Sequence, residues 1–268
     1  MGVSATSRHA FNCASDCYAF LGRVLWLLGY PDQALQCSRR AVTIAEEISH
    51  PFSLAIALGW RAALHQLRRE VPQTRVVAEA ALALATEQII PFFAAHSMAL
   101  RGWALVEQGR HHEGIAQLRQ GVEAYRATGA DLESPHWLAL LAEACGKAGE
   151  IEAGLGALAT AFDLVAQTGI AYYEADLNRL GGKLRLARDP AGASQLAERS
   201  FLHAIDIARA QQAKSWELRA ATSLARLWGE QGRRTEAQEL LAPVYSWFTE
   251  GFDTADLKEA KELLDQLT

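Results

Sequence analysis

The stretch EQGRHHEGIAQL at residues 107–118 returns as EQGRRTEAQELL at residues 230–241. Two further glycines have kindred surroundings, Gly29 in WLLGYPDQALQC and Gly149 in GKAGEIEAGLGAL. With Gly109 and Gly232 they make four, each followed five residues later by a small residue, at Ala34, Gly114, Gly154 and Ala237. The intervals between the glycines are 80, 40 and 83 residues. Each long interval leaves room for one unmarked unit, turning near Arg68 or Arg188, so the chain reads as six units. A fixed period in this range marks a solenoid, in which each unit buries its apolar face only against its neighbours.

The chemistry of the phrase says what the unit is. Glycine closes a helix by taking the left-handed conformation. A proline two residues on, as at Pro31, suits the first turn of the next helix, where no N–H is needed. The small residue five places on lets two antiparallel helices approach closely. Before each glycine the apolar spacing is helical: Tyr18, Leu21, Gly22 and Leu25; Met98, Gly102 and Leu105; Leu138, Leu141, Ala142 and Cys145; Ala221, Leu224, Ala225 and Trp228. After it, Ala34, Ser38 and Ala41 are matched by Gly114, Leu118 and Gly121, by Gly154, Leu158 and Ala161, and by Ala237, Leu241 and Val244. Pro51, Pro91 and Pro135 mark the joints between hairpins. Alanine, leucine and the long polar helix formers dominate, so the whole chain is expected to be helical.

The expected fold is therefore all-α: a right-handed solenoid of about six antiparallel helical hairpins in a single domain spanning residues 1–268. The units run over about residues 10–50, 51–90, 91–133, 134–170, 171–212 and 213–252. The fifth carries a loop about four residues longer, at residues 189–194. A helix over residues 253–268 covers the last unit, with Asp253 or Thr254 as its N-cap and Leu257, Ala260, Leu264 and Leu267 on its apolar face.

The unit also resembles a known family. The run YAFLGRVLWLLGYPDQALQCSRRA resembles the tetratricopeptide repeat, although the period here is near 40 rather than 34 and units two and five lack the hinge glycine. LWLLGYPDQAL, LALLAEACGKAGE, QQAKSWELRAATSLARLW and LLAPVYSWFTEGFDTADLKEAKELLDQL are similar to the C-terminal helical region of bacterial proteins that join a nucleotide cyclase domain to a STAND-type ATPase. That resemblance covers residues 26–267 and implies a sensor or scaffold module without the catalytic parts. No phosphate-binding loop is present, since Gly146-Lys147 and Gly182-Lys183 lack the upstream glycine and the following hydroxyl. The chain reads either as the C-terminal region of such a protein or as a stand-alone remnant.

Charge and composition narrow the function. The net charge is −5, and residues 1–134 are balanced while residues 135–268 are acidic, which argues against a phosphate backbone as partner. The run AFLGRVLWLLGY is too short to span a bilayer, and the four cysteines form no spaced framework, so a reducing cytoplasm is the expected setting. The start MGVSAT fits a loose myristoylation pattern that is common by chance. His9, Cys13 and Cys17 share one helical face but lack a fourth ligand, and His111, His112 and Glu113 lack ligand spacing. No metal, cofactor or catalytic constellation is expected.

What remains is the inner wall. In such repeats the first helices line the concave side, and the positions beside their packing face are Arg23, His65, His96, Trp103, His136, Glu143, Asn178, Arg185, Arg219 and Arg226. Arginine and tryptophan suit a binding hot spot. The alternative for the same residues is an ordinary solvated polar face. The leading expectation is a protein-interaction scaffold or regulatory module gripping a protein, a peptide or another domain of its parent protein. The competing one is a small-molecule sensor controlling an attached ATPase or cyclase. Single-stranded RNA binding is the third, disfavoured by the acidic balance.

Overall fold

The computed structural model describes residues 13–268, so the myristoylation pattern and His9 lie outside the described residues. Among those described there are thirteen helices and no strand. Six hairpins pair α1 (Cys13–Leu27) with α2 (Pro31–Glu47), α3 (Pro51–Leu67) with α4 (Val71–Glu87), α5 (Pro91–Glu107) with α6 (His111–Ala127), α7 (Ser134–Lys147) with α8 (Ile151–Thr168), α9 (Glu174–Arg188) with α10 (Ser194–Ala210), and α11 (Lys214–Glu230) with α12 (Arg234–Ser246). A last helix, α13 (Ala255–Leu267), packs on the sixth hairpin. Each first helix also touches the first helix of the next hairpin, which is translational stacking rather than a bundle. None of the described helices is long and apolar enough to cross a membrane.

The grammar is simpler than forty residues. Through the first four hairpins a residue with positive φ recurs every twenty, at Gly29, Ser49, Arg69, Ile89, Gly109, Gly129, Gly149 and Gly169. Most of these helices run 17 residues and end in the same left-handed turn. Joints between hairpins are thus built like the hinges within them. The second hinge turns at Arg69 (φ 61°) rather than Arg68. Arg69 and the β-branched Ile89 hold a conformation that costs an L-residue about 1 kcal/mol. The fifth hairpin turns through a loop at residues 189–193, where the Asp189 side chain accepts from the Gly192 N–H at 2.9 Å. It lengthens the register by three residues rather than four: the left-handed position moves to Gln212 and Gly232.

Close approach explains the small residues. A β-carbon on Gly102 would lie 2.8 Å from the Leu118 nitrogen and 2.9 Å from the Gly114 oxygen, so α5 and α6 touch backbone to backbone. All twelve second-helix positions from Ala34 to Val244 are buried, and Thr74, Ala78 and Ala81 with Ala197, Phe201 and Ala204 complete the series in the two unmarked units. In α13 the buried residues are Leu257, Ala260, Leu263 and Leu267, while Leu264 is partly buried against the same core. Tyr18 and Leu21 of α1 stay exposed, because no preceding hairpin covers them among the described residues.

The solenoid winds until its ends meet. Glu250, after α12, accepts from the N–H groups of Asp32 (2.9 Å) and Gln33 (3.1 Å) at the start of α2, while Gly251 N–H donates to Asp32 at 3.0 Å. The first N–H groups of a helix have no internal partner, so a residue 218 positions away caps α2. Ser215 donates to the Trp26 carbonyl, Arg219 to the Leu67 carbonyl and Arg68 to the Pro31 carbonyl. Trp26 and Trp216 meet edge to face at 4.9 Å.

Candidate binding site

Because the superhelix closes, its inner wall faces itself. The space on the axis is filled by a column of rings from successive first helices and the segments before them: Trp60, His96, Trp137, His136, Tyr173, Trp216 and Trp26, with neighbouring centroids 4.4–5.2 Å apart. Within it Arg23 reaches across from the first hairpin to Glu133 before the fourth, through two bonds of 2.8 and 2.9 Å. The Tyr172 hydroxyl donates to the same carboxylate at 2.7 Å, and His136 Nδ1 lies 3.4 Å from it. The guanidinium stacks over Trp60 at 4.6 Å. Burial alone would raise the Glu133 pKa, but the Arg23 charge and the His136 contact hold the carboxyl well below its ordinary value. His96 has no hydrogen-bond partner on either nitrogen, and burial depresses it to about 3, so it is neutral.

Five of the ten expected groove residues are therefore not on an accessible surface. Arg23, His65, His96, Trp103 and His136 are buried. The expectation of an open groove is corrected for them, and the reason is winding: closure brings facing walls within packing distance. His65 points to Glu70 at 2.5 Å, and His136 Nε2 lies 3.0 Å from Gln66. Arg185 turns to its own hairpin and reaches Ser200 at 3.3 Å, and Asn178 folds back on the Glu174 carbonyl at 2.9 Å. Glu143, Arg219 and Arg226 converge on one small cavity of about 70 Å³.

That cavity collects charged ends from six helices. Gln66 and Arg69 come from around the end of α3, Trp103 and Glu107 from α5, Glu143 and Lys147 from α7, Arg179 and Lys183 from α9, Arg219, Thr222, Ser223 and Arg226 from α11, and Asp256 and Glu259 from α13. Arg69 pairs with Asp256 (3.2 Å) and Glu259 (2.6 Å), Arg219 with Asp256 (2.9 Å), Arg226 with Glu259 (2.7 Å), and Lys147 with Glu107 and Glu143. Glu259 is lowered to about 2: burial opposes ionisation, and bonds from Arg69 and Arg226 overcome it. Lys183 was missed by the sequence reading although the period marks it, since it stands 40 residues after Glu143 and 80 after Trp103. Among the described residues no cluster of histidine, cysteine or carboxylate is arranged to hold a metal. His111, His112 and Glu113 lie at a hinge, where Glu113 pairs with Arg110.

Residues 15–48 match the tetratricopeptide repeat family. The fold is that of a tetratricopeptide-like solenoid. An uncharacterized protein of Rhizobium meliloti is 28% identical over 204 residues, which is 76% of this chain and 20% of that protein. This chain thus spans about a fifth of the length of that curated relative. Among solved structures, aspartyl phosphate phosphatase F from Bacillus subtilis aligns at TM-score 0.62 and 12% identity, covering 87% of this chain and 59% of that one. The apo form of RapI aligns at 0.63 and 13% over 98% and 89%. A Rap protein complexed with competence and sporulation factor aligns at 0.62 and 13% over 98% and 77%. At such identities the likeness concerns the fold.

Proposed function

We propose that this chain is a protein-interaction and regulatory module of a larger bacterial signalling protein, and that it docks its partner on the face of α1 left exposed among the described residues. The observation that carries the reading is continuity of the seam. Phe20 and Val24 are exposed, whereas Trp60 and Leu64 one unit on, and Leu100 and Ala104 two units on, are buried. With Leu21 they form an apolar edge to which a further helical segment can add as the preceding hairpin adds elsewhere. Two findings support it: the bacterial relative extends far beyond the matched region, and one protein of this fold is solved with a bound factor. The concave version of the reading narrows to the cavity mouth at Glu143 and Arg226.

The test is affinity capture with the purified wild type and a Leu21→Glu/Val24→Glu variant, compared quantitatively. Both side chains are exposed, so the melting temperature stays the same. The expected result is a partner, or an upstream domain of the parent protein supplied separately, retained by the wild type and lost by the variant. Equal recovery by both refutes the reading.

A further inference from the structure

The inner cavity has a charge balance that its own residues do not complete. Six cationic side chains line it against four carboxylates. Arg69, Arg219, Arg226 and Lys147 engage all four carboxylates. Arg179 pairs through Nε with the buried carboxylate of Asp176 at 2.6 Å. The two terminal nitrogens of Arg179 have no protein acceptor among the described residues and are not sealed from solvent. Lys183, one helical turn later on α9, makes no ion pair within 4.0 Å. The charges nearest Lys183 include Arg179, and that guanidinium pushes the ammonium below its ordinary pKa. Trp103 is 3% exposed and lines the same cavity, and its indole N–H has no acceptor either. A buried donor left without a partner costs about 1–3 kcal/mol, and the Trp103 indole N–H is such a donor; beside it the Arg179 terminal nitrogens and the exposed Lys183 ammonium face the same polar space without a protein acceptor, so the three are open to a ligand.

We propose that this cavity binds a small oxyanion, a carboxylate or a phosphate, held by the terminal nitrogens of Arg179, the ammonium of Lys183 and the indole N–H of Trp103. The site takes a free small ligand rather than a length of chain. Its volume of about 70 Å³ holds a few waters, and the bonds from Arg69 to Asp256 and Glu259 and from Arg219 to the Leu67 carbonyl cross between the two ends of the solenoid. Thr222 and Ser223 donate to carbonyls of their own helix, which leaves their oxygens as acceptors for a protonated ligand oxygen or a bridging water. An anion here touches α5, α9 and the cavity wall formed by α11 and α13, so it ties the middle of the solenoid to its closed end. This inference goes beyond partner docking on α1 and uses none of its residues.

The test is a titration of the folded protein, labelled with nitrogen-15 in its tryptophan indoles, with inorganic phosphate and separately with sodium acetate, against sodium chloride at matched ionic strength. The Trp103 resonance is assigned by its loss in Trp103→Phe. The expected result is a saturable shift of that resonance with at least one of the two anions, and the tighter one names the ligand class. Lys183→Gln, at the exposed mouth, weakens that binding by about tenfold or more, as loss of a charge-assisted bond does, and keeps the melting temperature. Titrations that both follow the chloride control overturn the proposal, and so does an unchanged midpoint in Lys183→Gln. Either failure leaves the capture experiment on α1 unaffected.

Discussion

Replacing Arg23 with methionine tests the closure of the inner wall. The side chain lies at the centre of a cross-axis network joining residues 110 positions apart. Removal leaves the Glu133 carboxylate, itself fully buried, with only the Tyr172 hydroxyl at 2.7 Å and the longer His136 contact. Breaking one side of a buried pair costs about 3–5 kcal/mol, and loss of the cation over Trp60 at 4.6 Å adds to it. The surviving Tyr172 bond offsets part, so the expected loss is about 3 kcal/mol. At about 2–4 °C per kcal/mol for a chain of this size, the melting temperature falls by about 6–12 °C. Urea unfolding of Arg23→Met, Glu133→Gln and the double variant measures the coupling, expected at about 2 kcal/mol or more. The pH dependence carries a sign. A carboxyl whose folded pKa is depressed stabilises the fold above its ordinary value, 4.5 here, and that stability is lost as pH falls below it. Arg23→Met should flatten this acid limb. A loss below about 1 kcal/mol, or singles that simply add, would refute the argument that the network binds the first hairpin to the fourth.

Two other perturbations separate packing from local conformation. Gly102→Ala places a methyl group against the backbone of α6 and should cost about 2–3 kcal/mol by urea unfolding, whereas Gly156→Ala, helical with open space around it, should gain about 0.5–1 kcal/mol. His96 titrates near 3 because of burial, against an ordinary 6.5, so its neutral form stabilises the fold at high pH and that contribution is lost as pH falls from about 6.5 towards 3; His96→Leu should reduce the acid sensitivity in that window, and an unchanged profile in calorimetry would count against the assignment.

The hinges were legible in the sequence because a left-handed turn is a local demand that glycine meets at Gly29, Gly109, Gly149 and Gly232. Gly129 and Gly169 meet the same demand at two of the joints, although the sequence advertises joints more plainly by the start of the following helix, as at Pro51, Pro91 and Pro135. Arg69, Ser49 and Ile89 adopt the conformation without the residue that advertises it, at a cost of about 1 kcal/mol that backbone bonds closing the turn, such as Ile90 N–H to the Ala85 carbonyl at 2.8 Å, help to offset. The inner wall was less legible. Which side chains face the axis follows from the period, and that argument would have yielded Lys183 along with Glu143 and Trp103. Whether the axis is open depends on the turn accumulated over six hairpins, a small angle per unit that no local motif encodes. Arg23 and Glu133, or Asp32 and Glu250, become partners only when that accumulation is complete.

The closing contact offers the most direct test of the whole account. Gln33 and Thr249 are exposed on the two sides of the junction at which Glu250 caps α2. Spin labels at these two positions, in a background without other reactive cysteines, report the separation of the ends by electron-electron dipolar spectroscopy. A closed solenoid predicts one narrow distribution at the short end of the measurable range. A broad distribution, or one centred well beyond that range, would mean that the ends stand apart, that the inner wall is an open groove, and that the cavity described above does not form.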